Sequence, residues 1–167
     1  MRLDAMYQEI ILDHYRNPHN KGLRDPHDGE AHHINPTCGD EVTLRVTLTP
    51  SEGDVVDGSA MVSDVSYDSM GCSISQASAS VLTDLLIGKS VDEGMRVLDA
   101  FTEMMHSKGD AEPDEDVLED AVAFVGVSKY PARIKCALLA WMAWKDATVQ
   151  SMRNDSREGG DVPESAS

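Results

Sequence analysis

A chain of 167 residues is long enough for one domain with its own hydrophobic core and too short for two ordinary ones. Its 14 Lys and Arg against 30 Asp and Glu give a formal charge of -16, a field that repels nucleic-acid phosphates and anionic membrane surfaces, so neither is an expected partner. No stretch approaches the roughly 20 apolar residues of a membrane helix, MRLDAMYQEI is not a signal peptide, and three cysteines without a CxxC pair suit the free thiols of a cytoplasmic protein.

Leu3, Met6, Tyr7, Ile10, Ile11 and His14 recur at helical spacing, which predicts a helix over about 3 to 16, stopped by RNPHNKG. From Asp40 the period becomes two: Val42, Leu44, Val46 and Leu48 alternate with polar residues, as in a strand with one buried face. After the turn TPSEGD, a weaker alternation through Met61, Val65 and Tyr67 predicts one long or two short strands of an antiparallel sheet. SISQASASVLTDLLIG opens with Ser73 and Gln76 at capping-box spacing and closes at Gly88, a helix with Ala77, Val81, Leu82 and Leu85 inward.

A second box, Ser90 to Glu93, starts a helix over about 91 to 107 that turns Met95, Leu98, Phe101 and Met105 inward. SKGDAEPDED reads as a solvated acidic linker, followed by a short helix around 115 to 124. Pro131 suits the first position of a last helix, apolar through Ile134, Leu138, Trp141 and Met142 and therefore the expected centre of packing. The domain is expected over 1–150, with 151–167 a disordered acidic tail.

The cysteines lie at 38, 72 and 136, too far apart for a local metal motif, so any shared site has to be assembled by the fold. Cys72 directly precedes a helix start, where the positive helix end favours a thiolate; the blander alternative is a small buried hydrophobe. Cys136 sits among apolar residues, with Lys129, Arg133 and Lys135 around its approach. Cys38, in the polar turn NPTCGDE, fits a core role least, and Gly39 lets Cys38 and Asp40 turn towards one centre. Three thiolates and a carboxylate suit zinc, and the same thiolates suit iron in a cluster. His32 and His33 lie upstream of Cys38 within reach of such a metal, or are exposed loop residues; His14 reads as a core or boundary residue.

HYRNPHNKG, NPTCGDE, GCSISQAS and KYPARIKCALLAW together resemble the U-type iron–sulfur cluster assembly proteins, the IscU/NifU-like family, over most of residues 3 to 149. Lys135 stands where the scaffold branch carries a histidine, and the long acidic segment before Cys136 resembles the SufU branch. The resemblance implies an α+β fold, a small antiparallel sheet of about three strands with helices packed on one face. It also implies that Cys38, Asp40, Cys72 and Cys136 gather at one end and bind zinc. Cys38 matches the sulfur-accepting ligand and Arg133 a family arginine near the site.

The expected function is that of a sulfur acceptor and carrier in iron–sulfur cluster assembly, a sulfurtransferase-like partner of a SufS-type cysteine desulfurase rather than a stand-alone enzyme. It would hand sulfur to a downstream cluster-assembly complex. The alternative implied by the family is a scaffold that binds iron, builds an iron–sulfur cluster on the same cysteines and transfers it. The stretch from about 50 to 64 departs from the family and is expected to lengthen a hairpin.

Overall fold

A computed structural model describes residues 2–36, 39–51, 53, 56–108 and 112–158. Helix α1 (Arg2–Arg16) is followed by strands β1 (Gly29–Asn35), β2 (Asp40–Thr49) and β3 (Met61–Met70). Helices α2 (Ser73–Leu86), α3 (Val91–Met105) and α4 (Glu115–Leu118) come next, then a 3-10 run Glu119–Lys129 and helix α5 (Pro131–Glu158). The strands form one antiparallel meander in the order β1-β2-β3. This is the expected α+β architecture with a three-stranded sheet.

Strand β2 follows from its alternation: Val42, Leu44, Val46 and Leu48 are all buried, and their neighbours Thr43, Arg45 and Thr47 are not. Helix α5 lies over β1 and β2, and α2 packs between α5 and α1. Inside this layer the Phe101 and Trp141 rings stack at 4.3 Å, and Phe124 meets Phe101 edge-on at 6.0 Å. Trp141 and Trp144 are fully buried, so α5 is the central packing element its composition predicts. No helix among the described residues is long and apolar enough to cross a membrane.

Four boundaries differ from the sequence expectations, each for a local reason. Strand β3 buries Val62 and leaves Met61 half exposed. Its register slips between Thr47 and Leu48, where two steps on β2, from Val46 to Leu48, oppose three on β3, from Val65 to Val62. Such a bulge breaks strict alternation. Strand β1 carries no apolar alternation, because Ile34 faces solvent and the buried ends are Gly29 and Asn35. The segment expected as a helix over 115 to 124 is one α-turn, and Glu119 at φ 47 separates it from the 3-10 run.

The fourth concerns the expected tail. Helix α5 continues past 150 to Glu158, and Ser151 is buried against the start of β1. Residues 159–167 lie outside the described residues. Gly29 makes this close approach possible: a Cβ there would sit 2.2 Å from the Ala147 carbonyl oxygen.

Candidate metal centre

Asp40 opens β2, Cys72 is the N-cap of α2, and Cys136 lies in the second turn of α5. The β1–β2 hairpin closes with the Gly39 N–H on the Asn35 carbonyl at 2.8 Å, and Gly39 takes φ +79, the left-handed geometry glycine adopts without strain. That turn delivers Asp40 to the start of α2. One carboxylate oxygen of Asp40 and the sulfurs of Cys72 and Cys136 all lie within 4.8 Å of one another. Cys38, joined to Gly39 by one peptide bond, lies outside the described residues.

The contacts explain how α2 begins. Cys72 donates its backbone N–H to Asp40 Oδ1 at 3.0 Å, and its thiol donates to Oδ2 at 3.4 Å. The Asp40 carboxylate, 2% exposed, therefore sits at the positive end of the helix and caps it from another strand. The expected Ser73–Gln76 capping box does not form, since Cys72 occupies the N-cap and the Gln76 amide donates to the Gly71 carbonyl at 2.8 Å. Ser75 donates its hydroxyl to the Cys72 carbonyl at 3.1 Å. Cys136 is buried and its thiol donates to the Ala132 carbonyl at 3.7 Å.

Gly71 is a residue whose role in the site the sequence only half shows. Its φ of +141 accounts for the sharp strand-to-helix turn, but the space around it matters as much. A Cβ on Gly71 would lie 2.2 Å from Asp40 Oδ1, so the carboxylate occupies the volume a side chain would fill.

The donor set fits a tetrahedral zinc ion. With sulfur at about 2.3 Å and oxygen at about 2.1 Å from the ion, neighbouring donors stand roughly 3.6 Å apart. The Cys72 sulfur and Asp40 Oδ2 stand 3.4 Å apart already. Three anionic donors in a largely buried place need a cation between them if both thiols ionise.

The basic residues do not form one cluster around Cys136. Lys129 and Arg133, both exposed, line a groove of about 770 Å³ together with Tyr7, Ser73, Ile74 and Tyr130, which adjoins the Cys72 end of α2. Lys135 faces a separate hollow of about 360 Å³ with His33, Ile34 and Pro36. The histidines are elsewhere engaged. His32 pairs with Thr43 Oγ1 at 2.7 Å and Glu41 at 3.2 Å, and His33 with Asp146 at 2.6 Å, both from strand β1 rather than from a loop. His14 is buried, in agreement with its place on the apolar stripe.

The family described as NifU-like N terminal domain matches residues 6–137. The chain belongs to this family. A relative from Bacillus subtilis (strain 168), the zinc-dependent sulfurtransferase SufU, is 43% identical over 84% of this chain and 88% of its own length. Another from Streptococcus pyogenes serotype M1, the iron–sulfur cluster assembly scaffold protein IscU, is 37% identical over 90% and 87%. Among solved structures, an iron–sulfur cluster assembly scaffold of the SUF system from Fervidobacterium islandicum AW-1 superposes with TM-score 0.69 at 33% identity, covering 86% of this chain and 97% of its own. An N-terminal NifU-like protein from Brucella abortus does so with TM-score 0.74 at 26% identity, covering 92% and 99%. NifU-like chains of this kind thus share the three-stranded sheet and helix layer described above.

Proposed function

We propose that this NifU-like chain takes part in iron–sulfur cluster assembly as a sulfur acceptor: Cys38 receives persulfide sulfur from a SufS-type cysteine desulfurase and passes it to a downstream cluster-assembly complex. The observation that carries the reading is the convergence of Asp40, Cys72 and Cys136 within reach of one ion, beside a groove rimmed by Lys129 and Arg133. Similarity to a SufU named as a zinc-dependent sulfurtransferase supports zinc as the metal. Cys38, Asp40, Cys72 and Cys136 would hold it, and when bound it keeps the thiols ionised and neutralises the buried carboxylate.

The chain's own groups carry the transfer. The Cys38 thiolate attacks the terminal sulfur of the donor's persulfide, that S–S bond breaks, and the donor cysteine leaves as a thiolate. A new S–S bond leaves the persulfide on Cys38, and the sulfur moves at the oxidation level it already had, so no further oxidant or reductant enters. Arg133 and Lys129, exposed cations of the groove wall, attract the negative charge that accompanies the persulfide. Asp40 holds the Cys72 end of the site in place through the backbone N–H.

The test pairs this chain with a SufS-type desulfurase and cysteine. Peptide mass analysis is expected to find the persulfide on Cys38, and Cys38→Ala is expected to abolish the acceleration of sulfide release. Undiminished acceleration by the variant would sink the assignment.

The mixed donor set favours one other reading, because a hard carboxylate oxygen beside two thiols also suits iron. On that reading the chain is a scaffold that carries an iron–sulfur cluster as cargo. Lys135 supports relay over scaffold, since a charged ammonium is no ligand and its side chain lines the separate hollow beside β1. Anaerobic reconstitution followed by transfer to an apo-acceptor separates the two: cluster handover faster than free iron and sulfide allow supports the scaffold, and retained zinc that blocks cluster formation supports relay.

A further inference from the structure

A second group of side chains with donor atoms suited to a metal lies on the opposite stretch of α2 from the cysteines. His14 near the end of α1, His19 in the turn after it and Asp84 on α2 bring one donor atom each within 4.8 Å of the others. The His14 and His19 rings are 4.8 Å apart, inclined at 52°. Twelve residues of helix separate Asp84 from Cys72, which at 1.5 Å per residue is about 18 Å, so the two groups are separate sites.

The surroundings orient the His14 ring. Its Nε2 lies 3.0 Å from Asp120 Oδ2, and because a carboxylate only accepts, Nε2 carries the hydrogen. When the ring binds a metal, the ligating lone pair is then the one on Nδ1, 2.8 Å from Ser80 Oγ. Ser80 and Asp84, four residues apart, share one face of α2, so Nδ1 looks towards that face. A carboxylate behind a histidine, with the other ring nitrogen held only by a hydroxyl that can rotate away, is the arrangement that orients histidines on metals. The Ser80 hydroxyl also accepts the His19 backbone N–H at 2.8 Å, which holds the turn carrying His19 against α2.

His19 Nδ1 already meets Asp84 Oδ2 directly. Both side chains are a little under half exposed, at 45% and 43%, so they have freedom to close on an ion, and solvent can fill its remaining positions. The Tyr67 hydroxyl, buried on the Ser80 side of the group, adds a polar wall. Donors around an ion at about 2.1 Å stand roughly 3.4 Å apart, a contraction that rotations of the two exposed side chains supply.

We propose that His14, His19 and Asp84 form a second metal site, for a divalent first-row transition ion, with Asp120 as the positioning residue behind His14. Two imidazoles and one carboxylate with open positions suit zinc or ferrous iron rather than magnesium or calcium, which prefer all-oxygen sets. The site also clips the turn after α1 to α2. It stands on its own donors and is independent of what the cysteines bind.

The experiment titrates Zn²⁺ calorimetrically into the full chain without a histidine tag, comparing wild type with His19→Ala, Asp84→Asn, Asp120→Asn and, as a control on α3, Asp99→Asn. The first two variants are expected to bind one equivalent fewer than wild type. Asp120→Asn is expected to weaken that equivalent by about 10–100-fold, and Asp99→Asn to leave it unchanged. Equal stoichiometry in wild type and His19→Ala overturns the proposal, and so does a loss in Asp99→Asn as large as in Asp84→Asn, which marks general attraction to an acidic surface. Co²⁺ gives an independent readout: the wild-type minus His19→Ala difference spectrum is expected to hold weak ligand-field bands alone. Sulfur-to-cobalt charge-transfer bands in that difference overturn it, because they mean that the variant acts on the cysteines.

Discussion

Helices α2 and α5 each pass through two environments. At their N-terminal ends Cys72 and Cys136 meet Asp40; farther along, α5 buries Trp144 and stacks Trp141 on Phe101, which Phe124 meets edge-on. In the aromatic layer burial itself stabilises, and neighbours are exchangeable as long as volume is kept. Around Asp40 burial costs free energy unless each donor and acceptor is matched, so position matters more than volume. One pair of helices thus holds a region stabilised by apolar burial next to one where buried polar groups must be matched.

Substitutions should separate the two. Trp141→Ala is expected to have the largest effect on stability, about 3–5 kcal/mol in urea unfolding, while the folded fraction keeps its metal affinity. Gly71→Ala should come next, at about 1–3 kcal/mol from the positive φ alone, and unlike the tryptophan change it should lower zinc retention, because the new Cβ displaces Asp40. Asp40→Ala removes the partner of the Cys72 N–H and is expected to cost about 1–3 kcal/mol, with chelator-resistant zinc lost in the same variant. Ser90→Ala, which breaks the box formed with Glu93 on α3, should cost about 1 kcal/mol and change neither metal content nor sulfur transfer. If Gly71→Ala kept full zinc affinity, the division between the two regions would fail at its most specific point.

Legibility in the sequence follows the same division. The apolar layer was readable because periodicity reports burial: the alternation of β2, the box at Ser90 and the apolar girth of α5 all reappear in the structure. Strand β1 was not, since its inward ends are Gly29 and Asn35 and its Ile34 points to solvent, the reverse of the signal a strand gives. Asp40 and Cys72 were picked out as candidates, yet the capping of α2 by Asp40 was hidden, for it joins residues 32 apart. The histidine group was hidden for the same reason: His14 and His19 are close in sequence, but Asp84 lies 65 residues beyond His19, on the other side of all three strands in the chain.

Gly29 sits far from the cysteines, against the Ala147 carbonyl. Helix α5 carries both Ala147 and Cys136, eleven residues apart, or about 16 Å along a stiff rod. Anything that props the helix away from β1 at one end swings the other, as a wedge under one end of a beam shifts its far tip. The missing side chain at position 29 is in that sense a setting screw for the spacing between Cys136 and Asp40, and a methyl group there would detune the candidate metal centre without touching it.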